Sequence, residues 1–322
     1  MASNAQSHTQ PAHTQPDGAN RLGVHSLDHF AISVPNLEEA RGFYTLFGLD
    51  VVADQAGLGL RTRGDERDWG RIAEGKAKRL DHLAFGCYPQ DYRAIRRNIE
   101  AAGGTLIDAP QDANGEGLWF RDPFGVLVQL LVAPKRTPDV KTPGVYHSQL
   151  AMERGAVYRG ETPPIRPRRL SHVLLYCPDV PRAADFYARA LGLRLTDSSG
   201  DGIAFMHAVH GSDHHVVAFA KSNAPGYHHS SWDVPGIEDI GRGAMQMFEA
   251  GYTRGWGLGR HVLGSNYFHY VRDPWGSFAE YSADIDYVSA DRIWDTREHP
   301  PDNSFYLWGP AVPEDFVNNT EA

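Results

Sequence analysis

The chain reads as an α+β protein of four βαβββ modules in two tandem domains, and three observations carry that reading. Its halves match: LDHFAISVPNLEEARGFYTLFGL (27–49) aligns with LSHVLLYCPDVPRAADFYARALGL (170–193), placing His29 on His172 and Phe43-Tyr44 on Phe186-Tyr187. Two further pairs follow. LDHLAFG from Leu80 meets YHHSSWD from Tyr227, with His82 on His229, and FRDPFGVLVQL (120–130) meets VRDPWGSFAEY (271–281). The offset grows from 143 residues to 147 and then 151, as duplication with loop insertions would produce. Finally, each half repeats a strand-then-helix opening within itself, over 27–47 and 80–103 and again over 170–191 and 227–251.

Taken in order, residues 1–25 are polar, rich in Gln, Asn, Ser, His and Pro, and read as a disordered tail in which His8 and His13 have no defined role. The first domain is expected over 26–133. Residues 27–34 alternate like a half-buried strand. Pro35 stops it, and Asn36 with Glu39 offers an N-cap and capping box for a helix over 37–47. Ala40, Phe43, Tyr44 and Phe47 form the apolar stripe of that helix. Asp179 and Pro181 start the matching helix, with Phe186, Tyr187 and Leu191 on its stripe, and Gly48 and Gly192 end the pair in C′ positions. Asp-Pro-Phe-Gly and Asp-Pro-Trp-Gly are tight-turn signals that close each half. Residues 134–169, rich in Pro and Arg, connect to a second domain at 170–285. The extension at 286–322 carries Trp294, Phe305, Tyr306 and Trp308, which suit docking on the body.

Composition narrows the function. A formal charge of −9 leaves no basic stripe for nucleic acid. No apolar run is long enough to span a bilayer, and the N-terminus has no hydrophobic signal core. Cys87 and Cys177 each lie inside an apolar run, which is neither a disulfide framework nor a zinc knuckle and fits a reducing cytosol. The expectation is a cytoplasmic homo-oligomer with no nucleic-acid or membrane partner.

The chemistry concentrates in the second domain. His172 and His229 occupy equivalent places at the openings of two modules, and Glu280 shares a face with Phe278 and Ser282 on the closing strand. An inward glutamate within FAEY is costly to bury alone, and a cation would offset that cost. Two imidazoles and one carboxylate form the facial triad suited to Fe(II), with Mn(II) equally compatible. In the first domain the acid position holds Gln129, a poor ligand for a divalent ion. His29 and His82 are therefore read as structural residues of a degenerate site.

The stretches LSHVLLYCPDVPRAADFYARALGL, HHVVAFA, GYHHSSWDV and GRHVLGSNYFHYVRDPWGSFAEY resemble the type I extradiol catechol dioxygenases of the vicinal oxygen chelate superfamily. The resemblance spans roughly residues 25–285. It implies a curved mixed sheet around a cavity in each domain, and His172, His229 and Glu280 as metal ligands. It further implies His215 on the oxygen side as a general acid, with His261 and Tyr270 on the substrate side to accept or hold the catechol proton. The implied activity is cleavage of a catecholic ring with both atoms of O2, in degradation of aromatic compounds. His228 is expected to face away from the site, His269 to face solvent, and His207 and His210 to lie at the surface. Trp256 stands where some members that act on acid-bearing catechols have an arginine, which favours an aryl or alkyl catechol. Arg254, Arg260, Arg292 and Arg297 remain candidates for a carboxylate clamp. The same superfamily offers two alternatives: a metal-dependent glyoxalase-like lyase or isomerase, and a protein that only binds a small molecule. Gln129 does not help the first, which would use a more glutamate-rich site across paired modules, and the second would not need His215, His261 and Tyr270 together.

Overall fold

The computed structural model describes residues 21–110, 116–145 and 150–322, so most of the expected tail, with His8 and His13, lies outside the described residues. The first half runs β1 (Ser26–Val34), α1 (Leu37–Phe47), β2 (Asp50–Asp54), β3 (Gly57–Arg61) and β4 (Gly70–Glu74). Its second module is β5 (Arg79–Cys87), α2 (Pro89–Ala101), β6 (Thr105–Ile107), β7 (Leu118–Arg121) and β8 (Leu127–Val132). The second half opens with β9 (Arg169–Cys177), α3 (Val180–Leu191), β10 (Arg194–Ser199) and β11 (Ile203–His207). A two-residue β12 (Ser212–Asp213) precedes β13 (Val217–Lys221). The last module is β14 (Gly226–Asp233), α4 (Ile237–Glu249), β15 (Gly255–His261), β16 (Tyr267–Arg272) and β17 (Phe278–Ala283). Three short strands follow: β18 (Tyr287–Val288), β19 (Arg297–Glu298) and β20 (Tyr306–Trp308).

The helix ends form for the reasons the sequence offers. Asn36 Oδ1 accepts from the N–H groups of Glu38 and Glu39 at 3.0 and 3.1 Å, and Asp179 Oδ1 accepts from Arg182 N at 3.0 Å. Gly48 (φ 104°) and Gly192 (φ 72°) end α1 and α3 in a left-handed conformation that strains any other residue.

Each half is built on one mixed sheet, and β12 with β18 forms a separate two-stranded sheet beside the second. Within every module the first strand pairs parallel with the last (β1·β4, β5·β8, β9·β13, β14·β17), and two modules join through the antiparallel pairs β1·β5 and β9·β14. The strand order β2-β3-β4-β1-β5-β8-β7-β6 recurs in the second half as β10-β11-β13-β9-β14-β17-β16-β15. The register recurs too. His82 lies opposite Ala31 as His229 lies opposite Leu174, and Gln129 pairs with Ala84 as Glu280 pairs with Ser231. The repeat found in sequence is thus a repeat in space.

The halves are sewn together through their cores. Tyr281 stacks on Phe47 at 3.9 Å between centroids and donates its hydroxyl to the Phe47 carbonyl, and Phe30 stacks on Tyr227 at 5.5 Å. The connection at 134–169 is pinned by Arg136. That guanidinium is buried 3.4 Å over the Trp69 ring and donates to the carbonyls of Asp28 and Asp68. Ahead of β1, the body begins earlier than expected: Val24 and His25 are fully buried, and Val24 N donates to Leu191 O.

The extension adds strands to the second half. β20 pairs with β15, β19 with β10, and β18 with β12. Phe316 is buried, whereas Trp308 is 41% exposed. Glu321 closes the end, accepting from Lys78 Nζ, Leu80 N and Tyr227 N at 2.7–3.0 Å. No helix among the described residues is long and apolar enough to cross a membrane.

Candidate metal centre

β-bulges aim the histidines. In β9 the extra residue is Ser171, immediately before His172, and in β14 it is His228, immediately before His229. The first half has its bulges at the equivalent Asp28 and Asp81, before His29 and His82. A bulge tilts the following side chain off strict alternation, which brings side chains from two antiparallel strands to one point. Glu280 arrives from β17. There Ala279, Tyr281 and Ala283 face the core, so the intervening Glu280 faces the other side, toward His172 and His229.

The three side chains converge. One ligand atom from each of His172, His229 and Glu280 lies within 4.8 Å of the others, and all three residues are buried. Glu280 Oε2 sits 3.4 Å from His172 Nε2 and 3.6 Å from His229 Nε2. Glu280 Oε1 accepts from Asn266 Nδ2 at 3.2 Å, but Oε2 is sealed from solvent with no hydrogen-bond partner, as is His229 Nε2. His172 Nδ1 faces Ser171 Oγ at 3.3 Å. That hydroxyl gives its own proton to Asp213, so it accepts from His172 and leaves Nε2 bare. Electron pairs crowd one point without a donor, an arrangement that costs free energy until a cation fills it. The residues fit a divalent metal.

The first half answers the same geometry differently. His29 Nε2 and His82 Nε2 hydrogen-bond to each other at 3.2 Å, and the Gln129 amide turns away to donate to the Glu116 carbonyl at 2.9 Å. Those contacts pair the polar atoms without a metal.

A cavity of about 470 Å³ opens on the second-half cluster. His215 lines it with its ring 3.9 Å from that of His172, just ahead of β13 instead of inside a strand. Burial holds its pKa well below the usual value, and the neighbouring imidazoles act in the same direction. Beside His229, Tyr270 lines the cavity 5.1 Å away between centroids, directly opposite Glu280 on paired strands. Burial, then the charge of Glu280, raises the Tyr270 pKa well above the usual phenol value, so it stays protonated. His261 Nδ1 donates to the Phe305 carbonyl at 2.8 Å, which leaves its Nε2 to accept from the Tyr270 hydroxyl at 3.0 Å.

The chain is matched by the model of the glyoxalase/bleomycin resistance protein/dioxygenase superfamily over residues 26–130 and 169–281. It belongs to that superfamily. It is 51% identical over 307 residues to metapyrocatechase 2 of Cupriavidus necator, covering 95% of this chain and 96% of the relative. It is 34% identical over 282 residues to a 3-methylcatechol 2,3-dioxygenase of Pseudomonas putida, covering 81% and 90%. The Mn(II)-bound glyoxalase of Novosphingobium aromaticivorans superposes with a TM-score of 0.73 at 24% identity, covering 91% of this chain and 94% of that one. That likeness shows the shared vicinal oxygen chelate fold.

Several side chains of this superfamily member lie elsewhere than the sequence indicates. His228, expected to face away, lines the cavity because it is the bulged residue. Trp256, expected in the substrate pocket, stands behind the wall: it stacks parallel to Tyr270 and donates Nε1–H to Pro310 O. His269 is half-buried, since the glycine paired with it, Gly257, leaves room for the ring over β15, and burial lowers its pKa to about 4. His207 is buried against Thr196 with its pKa lowered to about 3 by desolvation, and His210 packs beside Asp91 and Tyr88. Asn266 and Phe316 also line the cavity, and no motif in the sequence marks them. Nothing around Asn266 signals its hydrogen bond to Glu280.

Proposed function

We propose that the chain is an extradiol dioxygenase that opens a catechol ring with both atoms of O2, using Fe(II) held by His172, His229 and Glu280. The observation that carries this reading is the unpaired Glu280 Oε2 facing His172 and His229, with proton-handling groups on each side. Held there, Fe(II), or Mn(II) in its place, would supply Lewis acidity toward a catechol hydroxyl and a redox link to O2.

The protein's own groups handle the protons. With its proton directed to His261 Nε2, the Tyr270 oxygen presents lone pairs to the cavity and can receive a substrate hydroxyl. One proton can then leave the substrate as the Tyr270 proton moves to His261, whose Nδ1–H is held by the Phe305 carbonyl. His215 flanks the other histidine ligand, His172, and is the group placed to exchange a proton with oxygen. A simple binding site has no use for proton carriers beside both ligands. A glyoxalase-like site built across paired modules would need more carboxylate than the first half offers, where Gln129 turns away to the Glu116 carbonyl.

The walls select an uncharged ring. Leu174, Ile203, Phe205, Leu263, Phe305 and Phe316 line the cavity, and among its described lining residues Lys221 is the one Lys or Arg. Lys221 is exposed and paired with Asp201. The clamp candidates are engaged elsewhere: Arg254 with Asp315, Arg260 with the Ser265 carbonyl, Arg292 with Asp291 and Arg297 with Asp295. The name of the 3-methylcatechol relative supports an alkyl catechol as substrate, and the two free, buried cysteines fit a reducing cytoplasm.

The test loads the protein anaerobically with Fe(II), adds 3-methylcatechol and admits air. Oxygen uptake and a yellow ring-opened product are expected. A catechol bearing a carboxylate should show a kcat/KM lower by about tenfold or more, because its charge would be buried without a partner. Metal-loaded protein that opens no catechol would end the proposal.

A further inference from the structure

The extension meets the site through hydrogen bonds whose direction is fixed, because a carbonyl can only accept. We propose that residues 286–322 are a working part of the site: their carbonyls fix the tautomers of His229 and His261, and their donors hold the Asp197 carboxylate that fixes that of His215, so that each ring keeps an unprotonated Nε2. The His229 arm rests on the metal-ligand reading; the tautomers themselves do not.

Three separate contacts carry the proposal. The simplest is at His261, whose Nδ1 donates to Phe305 O at 2.8 Å. In the second, His228 Nε2 lies 2.7 Å from Phe316 O and must carry the proton. A neutral His228 then has a bare Nδ1. His229 Nδ1 is 2.6 Å from it, so His229 donates there and its own Nε2 is left without a proton. The third contact has the same form. A neutral His214 that donates Nε2–H to Asp197 Oδ2 at 2.8 Å has a bare Nδ1, and this lies 3.0 Å from His215 Nδ1, which puts the His215 proton on Nδ1. Asp197 is itself held by the extension: Trp294 Nε1, Arg297 N and His299 Nε2 all donate to its carboxylate at 3.0–3.1 Å. Both relays use an adjacent histidine pair, and both end on an acceptor that the extension supplies or holds.

His214 and His228 are thereby positioning residues, acting through their neighbours. A bare Nε2 is what a metal ligand needs at His229. At His215 it means that the ring must take up a proton before it can give one to oxygen.

The experiment uses full-length, metal-free protein with 15N-labelled histidine, in which long-range 1H–15N correlations report each tautomer. His215, His229 and His261 are expected as Nδ1–H forms. His228→Phe removes the acceptor for His229 and should weaken Mn(II) binding about 10–100-fold, as loss of such an outer partner does. His228→Gln should restore most of it, because the amide oxygen accepts from His229 while its NH2 donates to Phe316 O. Asp197→Asn should leave His229 unchanged and mix the tautomers of His215. Deleting residues 310–322 should mix those of His229 instead; should the deletion unfold the chain, the His228 pair decides alone. An Nε2–H tautomer at His229 or His215 in the unaltered protein, or unchanged Mn(II) affinity in His228→Phe, would overturn the proposal. None of these readouts depends on ring cleavage, so a protein that binds metal but opens no catechol leaves them intact.

Discussion

Glu280→Gln is expected to give a folded protein that keeps no metal. The carboxylate is fully buried, and Oε2 has no hydrogen-bond partner while it faces His172 Nε2 and His229 Nε2. Replacing it with an amide removes the negative charge that draws a divalent ion. It also supplies an N–H donor to the imidazole lone pairs, so the metal-free variant should be no less stable than metal-free wild type. Removing one partner of a buried, paired charge costs about 3–5 kcal/mol, or about two to three and a half orders of magnitude in affinity. Metal content after desalting, with thermal unfolding alongside, measures both effects. Gln129→Ala is the control: its amide serves the Glu116 carbonyl, and metal content should not change. Stoichiometric metal in Glu280→Gln would refute the ligand assignment.

The second large effect is expected at His215. His215→Gln keeps a hydrogen-bonding group near His214 but cannot carry a proton. His215 lies against His172 without belonging to the converging ligand set, so metal content and anaerobic catechol binding should hold. The rate of ring opening should fall about 10²–10⁴-fold, the range that a positioned acid–base group contributes. Steady-state kinetics with O2 and catechol varied separately distinguish a loss in kcat from a loss in binding. A variant that turns over normally would remove His215 from the chemistry.

How much of this was written in the sequence depends on which physical signal each part leaves. Periodicity and caps gave the modules, since α1 and α3 follow their apolar stripes and end at Gly48 and Gly192. The internal repeat located the ligands: register is conserved between the halves, so His172, His229 and Glu280 could be placed against His29, His82 and Gln129. Strict alternation then misplaced His228, because a bulge is a single extra residue with no mark of its own in the chain. A histidine near a turn, as His207 is, or on a strand, as His269 is, looks exposed in sequence until its neighbours are known. The role of the extension was hidden for a different reason. Its contacts at Phe305 and Phe316 are made by backbone carbonyls, which every residue carries, and only the fold shows where they point.

The central claim is that one of two similar halves holds the metal. Crystals loaded with Fe(II) under nitrogen and measured at the iron absorption edge test it directly. One anomalous peak per chain is predicted, at bonding distance from His172 Nε2, His229 Nε2 and Glu280, with none between His29 and His82. A peak at His29 and His82, or no peak beside Glu280, would contradict it.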